Sequence, residues 1–179
     1  MFNPNLLSTF PGTFRKTSIQ YLFLFVFSSL WFPAQSQDKF PDKCIGRWGG
    51  ILYMYNNGVL RDSVDVLLTI EPINDTSWTW KTAYLSQKQP LVKDYQLKHL
   101  EKNVFITDEG EGIELLNYQF ENKLFSTFET QGIYLTAKYE LIDDNLIFEL
   151  TSGKKRNEAN SITNYSVDAV QYIRFSRMK

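Results

Sequence analysis

The sequence predicts an all-β protein, an antiparallel up-and-down meander that closes into a β-barrel of about 8–10 strands. Three observations predict it. Beyond residue 37, apolar and polar residues alternate with period two almost throughout. Turn signals separate these runs at intervals of eight to fifteen residues. No stretch of that region has a convincing helical period. The competing all-β architecture is a β-sandwich with Greek-key crossovers, and the scarcity of long connections favours the meander.

The first 36 residues stand apart. They carry Arg15 and Lys16 and no acidic residue, then the apolar run Tyr21–Phe32, then Pro33 and the small-x-small triplet Ala34-Gln35-Ser36. A charged region, a short apolar region and a cleavage signature in that order predict a signal peptide over residues 1–36. A membrane span would need about 20 apolar residues, which this run does not reach. Cleavage after Ser36 or Gln37 leaves one domain, 37–179, that is exported to the periplasm or secreted, with no membrane span remaining.

Ten strands follow, at 46–55, 59–71, 77–86, 93–100, 103–107, 112–120, 124–129, 132–142, 145–151 and 165–177. The apolar faces read Val64, Val66, Leu68 and Ile70 in the second, Trp78, Trp80 and Tyr84 in the third, and Leu146, Phe148 and Leu150 in the ninth. Asn57-Gly58 ends the first strand, and Asn-Gly is a strong hairpin signal because both central residues need positive φ. Asn74-Asp75, Glu121-Asn122-Lys123, Thr130-Gln131-Gly132 and Asp143-Asp144-Asn145 supply further turns. The longest break, Gly153–Asn164, is polar with three consecutive cations and reads as a mobile loop.

Composition sets limits on function. The chain of 179 residues is 16% aromatic and 22% charged with a formal net charge of −1, which becomes −3 without the two cations of the leader. That balance argues against nucleic-acid binding, which needs a basic face. One Cys and one His exclude an intramolecular disulfide and a closed Cys/His zinc site. Cys44 reads as structural. Serine or cysteine triad chemistry would need His99, which lies in a strand with no identifiable partner. Asp108-Glu109-Gly110-Glu111-Gly112 lacks the spacing of an EF-hand, so no metal site is expected. Glu149 lies across a hairpin from Lys138 and Glu140; these read as outward-facing cross-strand neighbours, or, were the interior polar, as anchors for a ligand head group.

The first strand opens Gly46-Arg47-Trp48-Gly49-Gly50. A Gly-x-Trp at the start of the first strand of an exported meander resembles the lipocalins and the wider calycin group, with its fatty-acid-binding and nitrobindin-like barrels. The resemblance implies that Gly46 and Trp48 close the barrel floor, with Trp48 packed on an arginine near the last strand, the position of Arg174. It also implies a ligand-holding interior. Nitrobindin-like barrels bind haem through a histidine. The sole histidine here, His99, is mid-chain rather than near the C-terminus, and no cofactor is expected.

The aromatic residues that alternate into one interior are the candidate ligand-binding set: Trp78, Trp80, Tyr84, Tyr95, Phe128, Tyr139 and Phe148. In a barrel with a cavity they would line an apolar pocket edged by tyrosine hydroxyls; in a solid one they would be core. The expected function is binding of a small apolar or amphipathic molecule without catalysis. The alternative is a cell-envelope module that binds a protein through the loops 108–112 and 153–164, and an enzyme is the less favoured third reading.

Overall fold

The computed structural model describes residues 38–179 apart from Asn160. The leader predicted over residues 1–36 lies outside the described residues. One short helix, α1 (Phe40–Cys44), precedes twelve strands. They are β1 (Gly46–Asn56), β2 (Val59–Ile70), β3 (Pro72–Asn74), β4 (Ser77–Tyr84), β5 (Leu91–Glu101) and β6 (Val104–Gly110). The rest are β7 (Ile113–Phe120), β8 (Lys123–Thr130), β9 (Ile133–Ile142), β10 (Asn145–Ala159), β11 (Ile162–Tyr165) and β12 (Ala169–Arg177).

Ten of these strands form a closed antiparallel barrel in the order β1-β2-β4-β5-β6-β7-β8-β9-β10-β12, with β12 returning to β1. The meander is therefore correct and the sandwich is not. Closure comes from two registers: Leu146 opposite Phe175 joins β10 to β12, and Leu52 opposite Ile173 joins β12 to β1. No barrel strand is left with an unpaired edge, which removes the usual site of edge-to-edge aggregation. The two outside strands extend neighbours, β3 on β4 and β11 on β10.

Local chemistry explains the tight hairpins. Asn57 and Gly58 have φ of 47° and 75°, and Gln131 and Gly132 have 50° and 73°. Positive φ at both central residues matches the twist of the flanking strands, and glycine adopts it without steric cost.

Three expectations need correction. No helical period is legible beyond residue 37, yet Phe40–Cys44 form α1, with Pro41 in its first turn, where its missing N–H costs nothing. The segment 153–164 is not a loop. β10 runs to Ala159 and turns back as β11, and Tyr134 and Tyr165 pack with ring centroids 4.8 Å apart. The reason is local: Lys154 N–H donates to Ser166 Oγ at 2.9 Å and Ser166 N–H donates to the Lys154 carbonyl at 2.9 Å, so the returning chain continues the ladder. The strand predicted over 165–177 accordingly begins at Ala169, with residues 166–168 outside any strand. Finally, only Glu111-Gly112 of the acidic segment 108–112 is a turn; Asp108 and Glu109 belong to β6. Asp108 is engaged, with Lys98 Nζ 2.6 Å from its Oδ2.

β7 reverses the expected polarity. Asn117 and Gln119 point inward and are buried, while Leu116, Tyr118 and Phe120 lie outside and are exposed. No helix among the described residues is long and apolar enough to cross a membrane.

Candidate functional site

Every barrel strand runs between two ends. One end is plugged by α1. Phe40 and Cys44 are fully buried there, together with Trp48, Trp78, Phe105, Leu146 and Phe175. The plug is held by polar contacts as well as by packing. Trp48 Nε1 donates to the Cys44 carbonyl at 2.8 Å, and Trp78 Nε1 donates to Asp42 Oδ1 at 2.8 Å. Gln119 explains its own burial. It accepts from Phe40 N–H at 2.8 Å and donates to the Asp38 carbonyl at 2.9 Å, fixing the N-terminal segment to β7.

The arginine on Trp48 is Arg177, not Arg174. Its guanidinium lies 4.2 Å from the Trp48 ring centroid and donates to the carbonyls of Ile45 and Lys43. Strand parity is the cause. Ile173, Phe175 and Arg177 share the inward face of β12, whereas Arg174 points outward and donates to Asn145 Oδ1 at 3.2 Å. Gly46 belongs to this corner: a Cβ there would come within 2.8 Å of Arg177 Nη1.

Cys44 is chemically quiet. Burial pushes its thiol from 9.0 up to about 12, against smaller pulls from Arg177 and Lys43. The unfolded thiol ionises near 9.0 while the folded one keeps its proton. Its contribution to stability is therefore complete below pH 9.0 and is lost as the pH rises to about 12. A thiol reagent at pH about 8 is expected to label the protein only in denaturant. Equal labelling rates for native and denatured protein would contradict the buried, protonated thiol.

Above the plug the barrel holds a cavity of about 210 Å³, partly open at the far end. Six of the seven aromatic residues picked out in the sequence line it: Trp80, Tyr84, Tyr95, Phe128, Tyr139 and Phe148. Trp78 does not. It lies one inward position nearer the plug than Trp80 and packs on Phe105 at 6.2 Å. Near the floor, Tyr139 meets Trp80 edge-on at 5.1 Å and Phe148 at 4.7 Å. Burial raises the Tyr139 phenol, so that hydroxyl remains neutral.

Sequence reasoning missed the polar part of the lining. Thr82, Thr107, Asn117 and Ser126 belong to it, together with the charged side chains Lys93 and Glu109. The signal was the pair of polar residues on alternate positions of β7. Asn117 Nδ2 donates to Thr107 Oγ1 and to the Leu115 carbonyl, both at 2.9 Å, and Ser126 Oγ donates to the Leu116 carbonyl at 2.8 Å. The Lys93 ammonium lies 5.4 Å from the Tyr95 ring centroid. Burial lowers its pKa, but a hydrogen bond with Tyr95 and the charges of Tyr95, Tyr84 and Glu109 outweigh this, and the net shift is upward. Lys93 is thus a cation on the cavity wall. Burial also raises the Tyr84 phenol, with Lys93 opposing.

His99 is elsewhere, at the β5–β6 hairpin. Its Nε2 is 2.9 Å from the Lys102 carbonyl, and its ring packs on Phe105 at 5.0 Å. Glu149 lies opposite Lys138 in the β9–β10 register and does not line the cavity.

No protein-family model matches the chain, and no curated protein matches it. Solved structures do. An S-type phycobiliprotein lyase, CpeS, from Guillardia theta superposes with a TM-score of 0.61 at 9% identity, over 82% of this chain and 94% of that one. A protein of unknown function of the DUF3598 family from Nostoc punctiforme gives 0.53 at 8% identity, over 76% of this chain. The chain spans about half of that second protein, 48%. At such identities the likeness is one of fold alone, a closed antiparallel barrel.

Proposed function

We propose that this protein is an exported carrier or sensor that binds a small apolar or amphipathic molecule inside the barrel, without catalysis. One observation carries the reading: the interior is not filled, and its 210 Å³ cavity is walled largely by aromatic and aliphatic side chains with a few polar groups among them. The plug by α1 supports it, since a floor sealed by Phe40, Trp48 and Trp78 leaves one way in. The reading without catalysis rests on the two classical nucleophile and base candidates. Cys44 is buried and protonated, and His99 is outside the cavity. A phycobiliprotein lyase shares the barrel fold. The interaction-module reading is weaker because charges in both of its segments already have partners, Asp108 with Lys98 and Arg156 with Asp168.

Native mass spectrometry of protein purified from its own host tests the proposal. A retained small molecule is expected in the wild type and should be absent from Ala137→Trp, whose added indole would occupy much of the cavity. Circular dichroism verifies that the variant folds. No retained mass, and no heat of binding for small aromatic or amphipathic probes, would leave the interior as incompletely packed core.

A further inference from the structure

We propose that the ligand is a molecule of one or two fused rings carrying an O–H or N–H donor, and that Asn117 Oδ1 accepts from that donor. The inference rests on the binding reading above and narrows it to a chemical class. Size comes first. An apolar cavity of about 150 Å³ accepts benzene, so 210 Å³ suits one or two rings. Drug-sized ligands occupy sites of about 300–1,000 Å³, so a long-chain lipid would leave most of its length outside. The walls suit rings as well. Trp80, Tyr139 and Phe148 offer faces and edges in mutual contact at 5.1 and 4.7 Å, the geometry in which a further ring packs well.

The donor requirement comes from Asn117. The residue is 6% exposed and lines the cavity. The Leu115 carbonyl can only accept, so the amide nitrogen must be on that side, and both of its protons are used, on Leu115 and on Thr107. Oδ1 has no partner among the described residues. Yet no fully buried side-chain nitrogen or oxygen among them lacks a partner. Oδ1 therefore opens on the cavity, an acceptor in a largely apolar space. A ligand without a donor would strip its solvation and return nothing. The Thr82 hydroxyl, 8% exposed and also without a partner among the described residues, adds a group that can donate or accept. Glu109 adds a second acceptor on the cavity wall.

The test uses a matched pair of probes, 2-naphthol and 2-methoxynaphthalene, titrated calorimetrically into the wild type and Asn117→Leu. The wild type is expected to bind 2-naphthol about tenfold tighter than its methyl ether, the size of one hydrogen bond to an otherwise unpaired group. In Asn117→Leu the ratio is expected to fall to about one, with the ether binding at least as well as before. Equal affinities in the wild type, or a preference that survives in Asn117→Leu, would overturn the donor assignment and leave cavity binding standing. Binding of neither probe to the wild type would remove both. Should Asn117→Leu not fold, Asn117→Ala takes its place, since it too removes the Oδ1 acceptor, and the same ratio is read from it.

Discussion

Trp48→Ala is expected to destabilise the protein by about 4 kcal/mol, the middle of the range for deleting a buried tryptophan. The side chain is completely buried at the plugged end, in one core cluster with Phe40, Cys44 and Phe175. Truncation removes the packing, leaves the Cys44 carbonyl without the indole donor, and strands Arg177 above an empty site. The two arginines provide the control. Arg177→Ala should cost about 1 kcal/mol, the order of one partly exposed cation–π contact. Arg174→Ala should stay within about 0.5 kcal/mol, as surface substitutions generally do. Urea unfolding followed by fluorescence and circular dichroism measures all three. Equal losses for the two arginines would refute the assignment of Arg177 as the cation on Trp48.

Gly153→Ala should cost about 3 kcal/mol, unusual for a single methyl group but within the upper range for overpacking. A Cβ at this position would collide with the Ser166 carbonyl oxygen, and a backbone atom cannot swing aside as a side chain can. The returning chain is pinned there on both sides, by Ser166 on Lys154 and by Asp168 N–H on the Ser152 carbonyl at 2.8 Å. Inserting the methyl group must therefore push the 166–168 segment away from β10. Hydrogen exchange at Ser166 and Asp168 should accelerate along with the loss of stability. Gly49→Ala is the comparison, because its nearest neighbour, Met178 Sδ at 3.4 Å, is the end of a flexible side chain, and the change is expected to be near neutral. Similar costs at both positions would mean that the close approach at Gly153 does not restrain the fold.

The 153–164 segment shows where reading by composition fails. Three consecutive cations and several polar residues resemble a loop, yet strand pairing is a property of the backbone. Ladder bonds form wherever a partner strand is within reach, and the approach is permitted here by the absent side chain of Gly153. The Arg174 expectation failed differently. The parity of Ile173 and Phe175 was visible in the sequence and pointed to Arg177, but the resemblance drew attention to the neighbouring arginine. Trp78 was separated from the other six aromatics by depth alone, since alternation places residues on a face without saying how far along the barrel the filled end extends.

What the sequence determined by itself is the local part of the structure. Period-two alternation and two-residue turns at Asn57-Gly58 and Gln131-Gly132 specify antiparallel neighbours, and ten such strands in a row specify a meander. They also specify that Trp80, Tyr84, Tyr139 and Phe148 sit at positions that alternate into a common face. The tertiary structure alone decided how the ends meet and what the interior contains. The pairing of β12 with β1 joins residues more than a hundred positions apart, and no local rule encodes it. The direction of β7 is the clearest case. Its more apolar face, with Leu116, Tyr118 and Phe120, lies outside, because Asn117 and Gln119 find hydrogen-bond partners only inside. A buried polar group is tolerable when it is satisfied, and satisfaction depends on neighbours that only the closed barrel assembles.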